Sequence, residues 1–152
     1  MAHDAWRTEV LADPFDPEAE LRAFREGLAD AGAIAMFTGL VREEGGVGAL
    51  TLSHYPRYTE KCIGEIVERA KERFGLVSSL VLHRVGRMEP REPIVLVATA
   101  ALHRRAAFEA ADYLMDDLKS AAPFWKLEER EDGSDWIEPT DKDIEDRKRW
   151  ED

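Results

Sequence analysis

The amino-acid sequence predicts one α+β domain with a mainly antiparallel sheet and packed helices, and three observations support this prediction. The chain has 152 residues, about the length of one domain. Apolar residues make up 44% of it, enough for a sizeable core. The predicted elements run α-β-β-α-β-β-α-β-β-α, and paired strands between helices favour antiparallel pairing over a doubly wound parallel sheet. We therefore expect residues 1–152 to form a single domain that includes the acidic segment 128–152.

Helices are predicted where a capping residue precedes apolar residues at helical spacing. Asp16, followed by Pro17, caps the first helix, and Gly32 is predicted to end it. Thr59 is predicted to cap a second helix that runs to about Phe74 and ends at Gly75. The remaining helices are predicted at 104–121 and, with Thr140 and Asp143 as a capping arrangement, from 140 to about 150.

Six strands are predicted from apolar or alternating runs, at residues 32–41, 49–55, 79–85, 94–102, 124–129 and 135–137. Residues 43–48 are rich in glycine and are predicted to form a flexible loop. We interpret the first two strands as a possible hairpin with this loop as its long tip. Residues 86–93 contain two prolines and are predicted to be a charged turn.

The net charge of −11 excludes several classes of function. Residues 128–152 hold twelve acids and five bases, a net of −7, so the acidity is concentrated there. An acidic protein is poorly suited to non-specific nucleic-acid binding or to an acidic membrane face. No apolar run approaches the ~20 residues that span a bilayer, and the first residues do not resemble a secretory signal. We expect a cytoplasmic protein with neither nucleic acid nor membrane as partner.

The sequence also gives no sign of a metal or cofactor site. Its one cysteine, Cys62, excludes a disulfide framework and a zinc–thiolate cluster, and we interpret it as a small, half-buried helical residue. Motifs for phosphate loops, dinucleotide binding, zinc proteases and serine hydrolases are absent. Acidic pairs such as Glu43-Glu44 are better explained as solvated surface than as magnesium ligands. His54 and His83 are predicted to be strand residues with structural hydrogen bonds.

Basic residues stand at positions suited to an anion. Arg42 ends a predicted strand, and His103-Arg104-Arg105 lies between the most apolar strand and a long helix. A helix N-terminus offers free backbone N–H groups and a positive dipole, and further cations there oppose that dipole, which suggests a binding role. The alternative is that these side chains pair with local acids such as Glu109.

Two lysines, Lys119 and Lys126, flank an apolar stretch that could desolvate an ammonium group and suit it to acid–base or nucleophilic work. From the residues alone, a solvated lysine remains the simpler interpretation of each. His103 and Lys119 are separated by sixteen residues of one helix, or ~24 Å. They therefore serve two sites, or they meet across a two-fold axis between protomers.

Short motifs follow one another along residues 30–138: FTGLVR at 37–42, LSHY at 52–55, TEK at 59–61, HRVG at 83–86, HRRAAFEA at 103–110, DLK at 117–119 and PFWK at 123–126. Each is weak alone. In this order and at this spacing they resemble the large, catalytic subunit of molybdopterin synthase.

The resemblance implies a fold, an assembly and a reaction. The implied fold is of the α/β hammerhead type, and the implied assembly is a homodimer at the centre of a heterotetramer. A small ubiquitin-like sulfur-carrier subunit would insert its C-terminal Gly-Gly thiocarboxylate into a pocket of each large subunit. Two sulfurs would pass in turn to cyclic pyranopterin monophosphate and form the dithiolene of molybdopterin.

The resemblance also implies roles for single residues. Lys119 is the essential acid–base or covalent group, and Lys126 assists it by charge or proton transfer. Arg42 holds the phosphate or the pterin from the same subunit. His103 and Arg104 reach in from the other subunit.

Apolar walls of the pocket are expected from Phe37, Met115 and Pro123, and the carrier tail is expected along the strand that leads to Trp125 and Lys126. The alternative function is a dimeric module that binds a ubiquitin-like tail or an anion without catalysis. The joint presence of two lysines favours the enzyme over that module.

Three positions depart from the family pattern. Leu40 and Leu127 stand where many members carry a basic residue, and Thr140 stands where some carry an arginine. Lys142 is a nearby candidate to replace that arginine. These departures bear on phosphate affinity, while the central motifs are intact.

Overall fold

The computed structural model describes residues 6–43, 47–130, 133–137 and 141–151 and confirms the α+β class. The described elements, in chain order, are β1 (Trp6–Leu11), α1 (Pro17–Glu26), β2 (Ala33–Leu40), β3 (Val47–His54), α2 (Tyr58–Phe74), β4 (Ser78–Arg84), β5 (Gly86–Met88), β6 (Pro93–Ala101), α3 (Arg104–Ser120), β7 (Phe124–Arg130), β8 (Gly133–Ile137) and α4 (Asp141–Lys148).

The strands form two four-stranded sheets. The first has the order β1-β4-β6-β2 and the second has the order β5-β3-β7-β8. Only the β1–β4 pairing is parallel among the described strands, so the prediction of mainly antiparallel pairing is confirmed. The two predicted strands after Pro123 pair with each other as β7 and β8, while residues 131–132 between them lie outside the described part.

The predicted hairpin over residues 32–55 is wrong. Its first strand, β2, pairs with β6 in the first sheet, and its second strand, β3, pairs with β5 and β7 in the second sheet. A two-residue turn imposes hairpin pairing, but a long glycine-rich loop leaves the two strands free to separate. The most apolar strand, β6, takes β2 as its neighbour instead.

Two strands were missed by the sequence analysis. β1 lies at the edge of the first sheet, where half-buried residues give only weak alternation. β5 has three residues and occupies the start of the predicted charged turn. Short edge strands carry too few residues for periodicity to reveal them.

Glycine positions explain two helix ends. α1 ends at Glu26, and the Gly27 N–H donates to the Ala23 carbonyl, so Gly32 is not the stop that was predicted. A Cβ on Gly32 would lie 2.1 Å from the Leu102 carbonyl oxygen, so this glycine permits close backbone approach. Gly75 ends α2 as predicted, with a left-handed φ of 62°.

The core has three apolar clusters. One face of the first sheet packs on α2 and α3 through residues such as Val81 and Val97. The opposite face of the same sheet packs against α1 through Leu80 and Leu82. A third cluster, which we call the junction cluster, joins the two sheets and consists of Val41, Leu50, Leu52, Val85 and Met88, with Val10, Ile94 and Phe124 packed on it. None of the described helices is both long and apolar enough to cross a bilayer.

Candidate active site

The two predicted catalytic lysines flank the tight turn between α3 and β7, residues 121–123, which we call the lysine turn. Lys119 is exposed in the last turn of α3, and Lys126 is half-buried on β7. The helix ends where the Ala121 N–H donates to the Asp117 carbonyl at 2.7 Å, and the chain then turns into β7. The structure thus places both lysines at the same end of α3.

This turn is anchored by Thr59, which the sequence analysis assigned as a helix cap. The Thr59 hydroxyl is fully buried, donates to the Pro123 carbonyl at 3.0 Å and accepts from the Tyr55 N–H at 3.0 Å. The residue preceding α2 is Arg57, with a positive φ of 73°, and its N–H donates to the Glu60 carboxylate. The capping prediction for Thr59 is therefore wrong, because its hydroxyl joins α2 to the lysine turn instead.

A second anchor acts on the last turn of α3 itself. The buried carboxylate of Asp117 accepts from Arg69 at 3.3 Å and from Arg147 at 3.1 Å. Its neighbour Asp116 accepts from Arg149 and from the indole N–H of Trp150. Buried carboxylates need such charged partners, so α2, α4 and the residues after α4 together hold the turn that carries Lys119.

A buried histidine lies beside the lysines. The ring of His83, on β4, stacks on that of Phe124 with centroids 3.9 Å apart and an interplanar angle of 14°. Its Nδ1 is 2.9 Å from the Arg84 carbonyl oxygen. Because a carbonyl can only accept, Nδ1 donates and carries the proton of the neutral ring.

The positive charges of Lys119 and Lys126 act on the buried ring of His83. The pKa of His83 is lowered to about 4, mainly by burial and to a smaller extent by the positive charges of Lys119 and Lys126, whereas the hydrogen bond to the Arg84 carbonyl opposes the shift. His54 is a smaller contributor in the same direction. His83 is therefore neutral at neutral pH, and the two ammonium groups share its surroundings.

Arg42 is exposed at the end of β2, and a short turn fixes the residue before it. The Val41 N–H donates to the Glu92 carbonyl at 3.0 Å, and the Arg91 N–H donates to the Val41 carbonyl at 2.7 Å. The Glu92 carboxylate accepts from the buried Arg84 at 3.4 Å. Val41 belongs to the junction cluster, on which Phe124 at the start of β7 also packs.

The basic cluster His103-Arg104-Arg105 lies at the opposite end of α3, as predicted. His103 stands at the N-cap without a side-chain cap hydrogen bond, and all three side chains are exposed. No salt bridge joins them to Glu109 or to another described residue. The explanation by local pairing therefore finds no support in the structure, and the cluster is open to an anion.

The predicted apolar walls fall at two places. Met115 lies one helical turn before Lys119, on the same face of α3, and Pro123 lies in the lysine turn. Both are half-buried. Phe37 is 42% exposed on β2, an edge strand of the first sheet.

The departures from the family pattern differ in their surroundings. Leu40 is 51% exposed at the end of β2. Leu127, on β7, is the cross-strand partner of Thr51 on β3 and of Trp136 on β8. Lys142 is exposed and pairs with Asp146 at 3.4 Å. The proposed capping by Thr140 and Asp143 lies outside the described residues and side chains. No group of three or more His, Cys, Asp or Glu side chains in the described ranges is arranged to hold a metal ion.

Residues 10–121, which include β2 to β6, α3 and Lys119, match the family model described as MoaE protein. The chain belongs to the MoaE family. It is 50% identical over 145 residues to the molybdopterin synthase catalytic subunit of Cereibacter sphaeroides, covering 95% of this chain and 99% of that relative. It is 52% identical over 139 residues to the subunit of the same name from Caulobacter vibrioides, covering 91% and 93%.

A solved structure of the family has the same fold. The molybdopterin biosynthesis MoaE protein from Burkholderia ambifaria superposes with a TM-score of 0.82 at 39% identity, covering 95% of this chain and 98% of that one.

Sequence reasoning missed His83 as part of this MoaE-family site. It correctly predicted a strand residue with a structural hydrogen bond, and His54 likewise contacts Glu60 at 3.1 Å. What it missed is the stacking on Phe124 and the approach of two lysines, because these contacts join residues that are about forty positions apart. The available signal was a histidine inside an otherwise apolar run, SLVLHRV.

Proposed function

We propose that the chain is the catalytic subunit of a molybdopterin synthase, which transfers sulfur from a thiocarboxylated carrier protein to cyclic pyranopterin monophosphate. The observation that carries this proposal is the placement of Lys119 and Lys126 on either side of the turn between α3 and β7, in a chain of the MoaE family. The relatives named molybdopterin synthase catalytic subunit support it over nearly their whole length.

The sulfur must come from a partner. The chain holds one cysteine, Cys62, which is half-buried on α2 and distant in sequence from the lysine turn. One thiol cannot provide the two sulfurs of a dithiolene. A carrier with a C-terminal thiocarboxylate can. Each sulfur bonds to a pterin carbon as its acyl–sulfur bond breaks, and the oxygen that it replaces leaves that carbon. Water adds to the acyl carbon, so that the carrier ends as a carboxylate.

The lysine pair suits this chemistry. An ammonium group beside the thiocarboxylate stabilises its negative charge and can donate a proton as bonds to oxygen break. Lys119 is exposed and therefore accessible to an incoming tail, while the half-buried Lys126 lies on β7. We assign Lys119 the essential acid–base or covalent role and Lys126 the assisting one.

Substrate binding is assigned to the basic residues around this turn and across a dimer. Arg42 holds the phosphate or pterin from the same protomer, and His103 and Arg104 come from the partner protomer. His103 and Arg104 lie at the N-terminal end of α3, and Lys119 lies at its C-terminal end, so a single chain cannot bring His103 to Lys119. A homodimer supplies that contact, and the exposed apolar side chains of Leu102 (60%) and Phe108 (66%) provide surface for it beside His103.

The carrier and the location complete the proposal. A small ubiquitin-like carrier docks on each large subunit, with its tail along β7 and against Met115 and Pro123, and Phe37 closes the pocket at the dimer. No metal or cofactor takes part in the proposed reaction. We place the reaction in the cytoplasm, where a thiocarboxylate is not exposed to an oxidising compartment.

The first test is the mass of the pterin product. Purified chain, thiocarboxylated carrier and cyclic pyranopterin monophosphate are expected to give a product with two added sulfurs, and none when the chain is left out. Carrier binding without sulfur transfer would instead show a binding module and contradict the proposal.

Lys119→Ala is expected to abolish the product while the dimer and carrier binding persist, because the side chain is exposed and contributes to chemistry rather than to packing. Lys148→Ala is the matched control, since Lys148 is an exposed lysine on α4. Product formation by Lys119→Ala at the level of this control would overturn the assignment of Lys119.

A further inference from the structure

His83 is a buried ionisable residue at the lysine turn to which the proposed reaction assigns no task. It lies on β4 of the first sheet, whereas the lysines lie on α3 and on β7 of the second sheet. Its side chain therefore reaches from the first sheet to the strand of the second sheet that carries Lys126. A leucine in this place would fill the same space without the cost of burying a polar ring.

Two contacts fix the orientation of the ring. Stacking on Phe124 at 3.9 Å sets its plane, and the hydrogen bond from Nδ1 to the Arg84 carbonyl sets its rotation in that plane. With the proton on Nδ1, the other nitrogen, Nε2, carries a lone pair and can only accept. The fold thus holds a neutral acceptor in one defined direction.

Strand geometry places Lys126 beside that ring. Residues two apart on a strand point to the same face, so Lys126 and Phe124 share a face of β7. The cross-strand partner of Phe124 is His54, which lies on the same face. His83 stacks on Phe124 and therefore lies over this face, about one residue pair away from Lys126.

We propose that His83 is a positioning residue for the sulfur transfer, whose neutral ring offers Nε2 as a hydrogen-bond acceptor to the ammonium group of Lys126. The acceptor orients the ammonium group that faces the carrier tail. The proposal rests on the proposed function, since it assigns this task within the same reaction.

The charge of the ring matters as much as its direction. The groups that face His83 are Lys119 from α3, Lys126 from β7 and His54 from β3. A protonated ring would add a further positive charge to two ammonium groups and could no longer accept. Burial and the two lysines keep its pKa near 4, so the acceptor is present throughout the neutral range.

Three substitutions separate positioning from packing. His83→Phe keeps the stacking on Phe124 but has neither ring nitrogen. His83→Gln can place an amide oxygen near the position of Nε2, whereas His83→Asn reaches only the position of Nδ1 and the Arg84 carbonyl. The Gln and Asn variants match in polarity, so their comparison remains decisive even if the Phe variant does not fold.

Steady-state kinetics with thiocarboxylated carrier and cyclic pyranopterin monophosphate are the first measurement. We expect His83→Phe to lower kcat by about tenfold or more with KM changed less than about twofold, the pattern of an interaction made in the transition state. We expect His83→Gln to recover more kcat than His83→Asn. Full activity of His83→Phe, or no advantage of Gln over Asn, would overturn the proposal.

Nitrogen NMR of the imidazole tests the same idea in the free protein, without any activity. At pH 7 we expect His83 to show a protonated Nδ1 and an unprotonated Nε2, and the Nε2 resonance to move in Lys126→Met but not in Lys148→Met. A protonated Nε2, or a resonance that Lys126→Met does not move, would overturn the positioning role. Because no substrate is present, these outcomes stand apart from a failure of the synthase assignment.

Discussion

His83 shows how burial converts an ordinary side chain into a specialised one. In water its pKa would be near 6.5, and in the fold burial and the nearby Lys119 and Lys126 hold it at about 4. This lowered pKa reduces the free energy of unfolding at acidic pH, because the unfolded chain binds a proton at His83 that the folded protein does not bind. The loss of stability begins as the pH falls below about 6.5 and is complete once the pH is below about 4.

The pH dependence of stability follows from this difference. As the pH falls from 6.5 towards 4, the unfolded chain binds a proton at His83 before the folded chain does, so the free energy of unfolding decreases. The loss from this group is on the order of 3 kcal/mol once the pH is below 4. Urea unfolding at pH 7, 5.5 and 4 measures it.

The control for this experiment is His83→Gln, which does not titrate. Its unfolding free energy is expected to decrease less over the same range, because carboxylates elsewhere in the chain contribute equally to both proteins. Equal slopes in the two proteins would contradict the low pKa of His83.

At the scale of elements, one hydroxyl joins α2 to the lysine turn. Thr59 is fully buried and bridges the Tyr55 N–H and the Pro123 carbonyl, which are 68 residues apart in sequence. The turn between α3 and β7 thus takes its position from a helix that contributes no catalytic group. Asp116 and Asp117 add a second connection, from the end of α3 to Arg147 in α4 and Arg149 after it.

Thr59→Val tests this connection, because valine has the same shape but leaves both backbone groups without the hydroxyl. We expect the free energy of unfolding to fall by about 1–3 kcal/mol, the cost of a buried unsatisfied polar group. Chemical denaturation of Thr59→Val and of Thr8→Val gives the comparison, since Thr8 is a half-buried residue of the edge strand β1. A loss no larger than that of Thr8→Val would show that the bridge contributes nothing.

At the scale of the whole molecule, the length of α3 decides how the site is completed. Its seventeen residues separate the cluster at His103 and Arg104 from Lys119 by ~24 Å. Only a second protomer can bring the two ends together at one pterin. The proposed active site is therefore a property of the dimer and not of one chain.

Mixed dimers test this arrangement. Lys119→Ala and Arg104→Ala are each expected to be nearly inactive alone. In a heterodimer of the two, the protomer that carries Arg104→Ala keeps its Lys119 and receives an intact Arg104 from the other protomer. Unfolding and refolding an equal mixture is expected to restore about a quarter of the parental sites.

The readout is the amount of two-sulfur product after refolding. Mixing without refolding is the control, because the homodimers then stay intact. Absence of recovery after refolding, with dimers present by light scattering, would show that each site lies within one chain.

Most elements were predictable from local signals. Asp16 with Pro17 marked the start of α1, Gly75 marked the end of α2, and the apolar run 94–102 marked β6. These signals depend on backbone preferences and on periodicity within a few residues. β1, β5 and the separation of β2 from β3 were not predictable, because pairing partners are chosen by the whole core.

The candidate site was predictable only in part. The motifs pointed to Lys119, Lys126 and Arg42, and the structure places the two lysines on either side of the turn between α3 and β7, with Arg42 just after β2. The motifs did not indicate the ring that lies beside the lysines, since His83 meets Phe124 only when the two sheets pack. A further part of the proposed site, from His103 and Arg104, depends on a second protomer.

The sequence by itself determined the α+β class, the positions of most elements, the acidic surface and the identity of the candidate catalytic residues. The first three depend on composition and on local order along the chain, and the candidate catalytic residues depend on the resemblance of the motifs to a known family. Only the tertiary structure decided which strands share a sheet, what Thr59 bonds and why His83 is neutral. The physical reason is that pairing, burial and charge proximity arise between distant residues, and their energies exist only once the chain has folded.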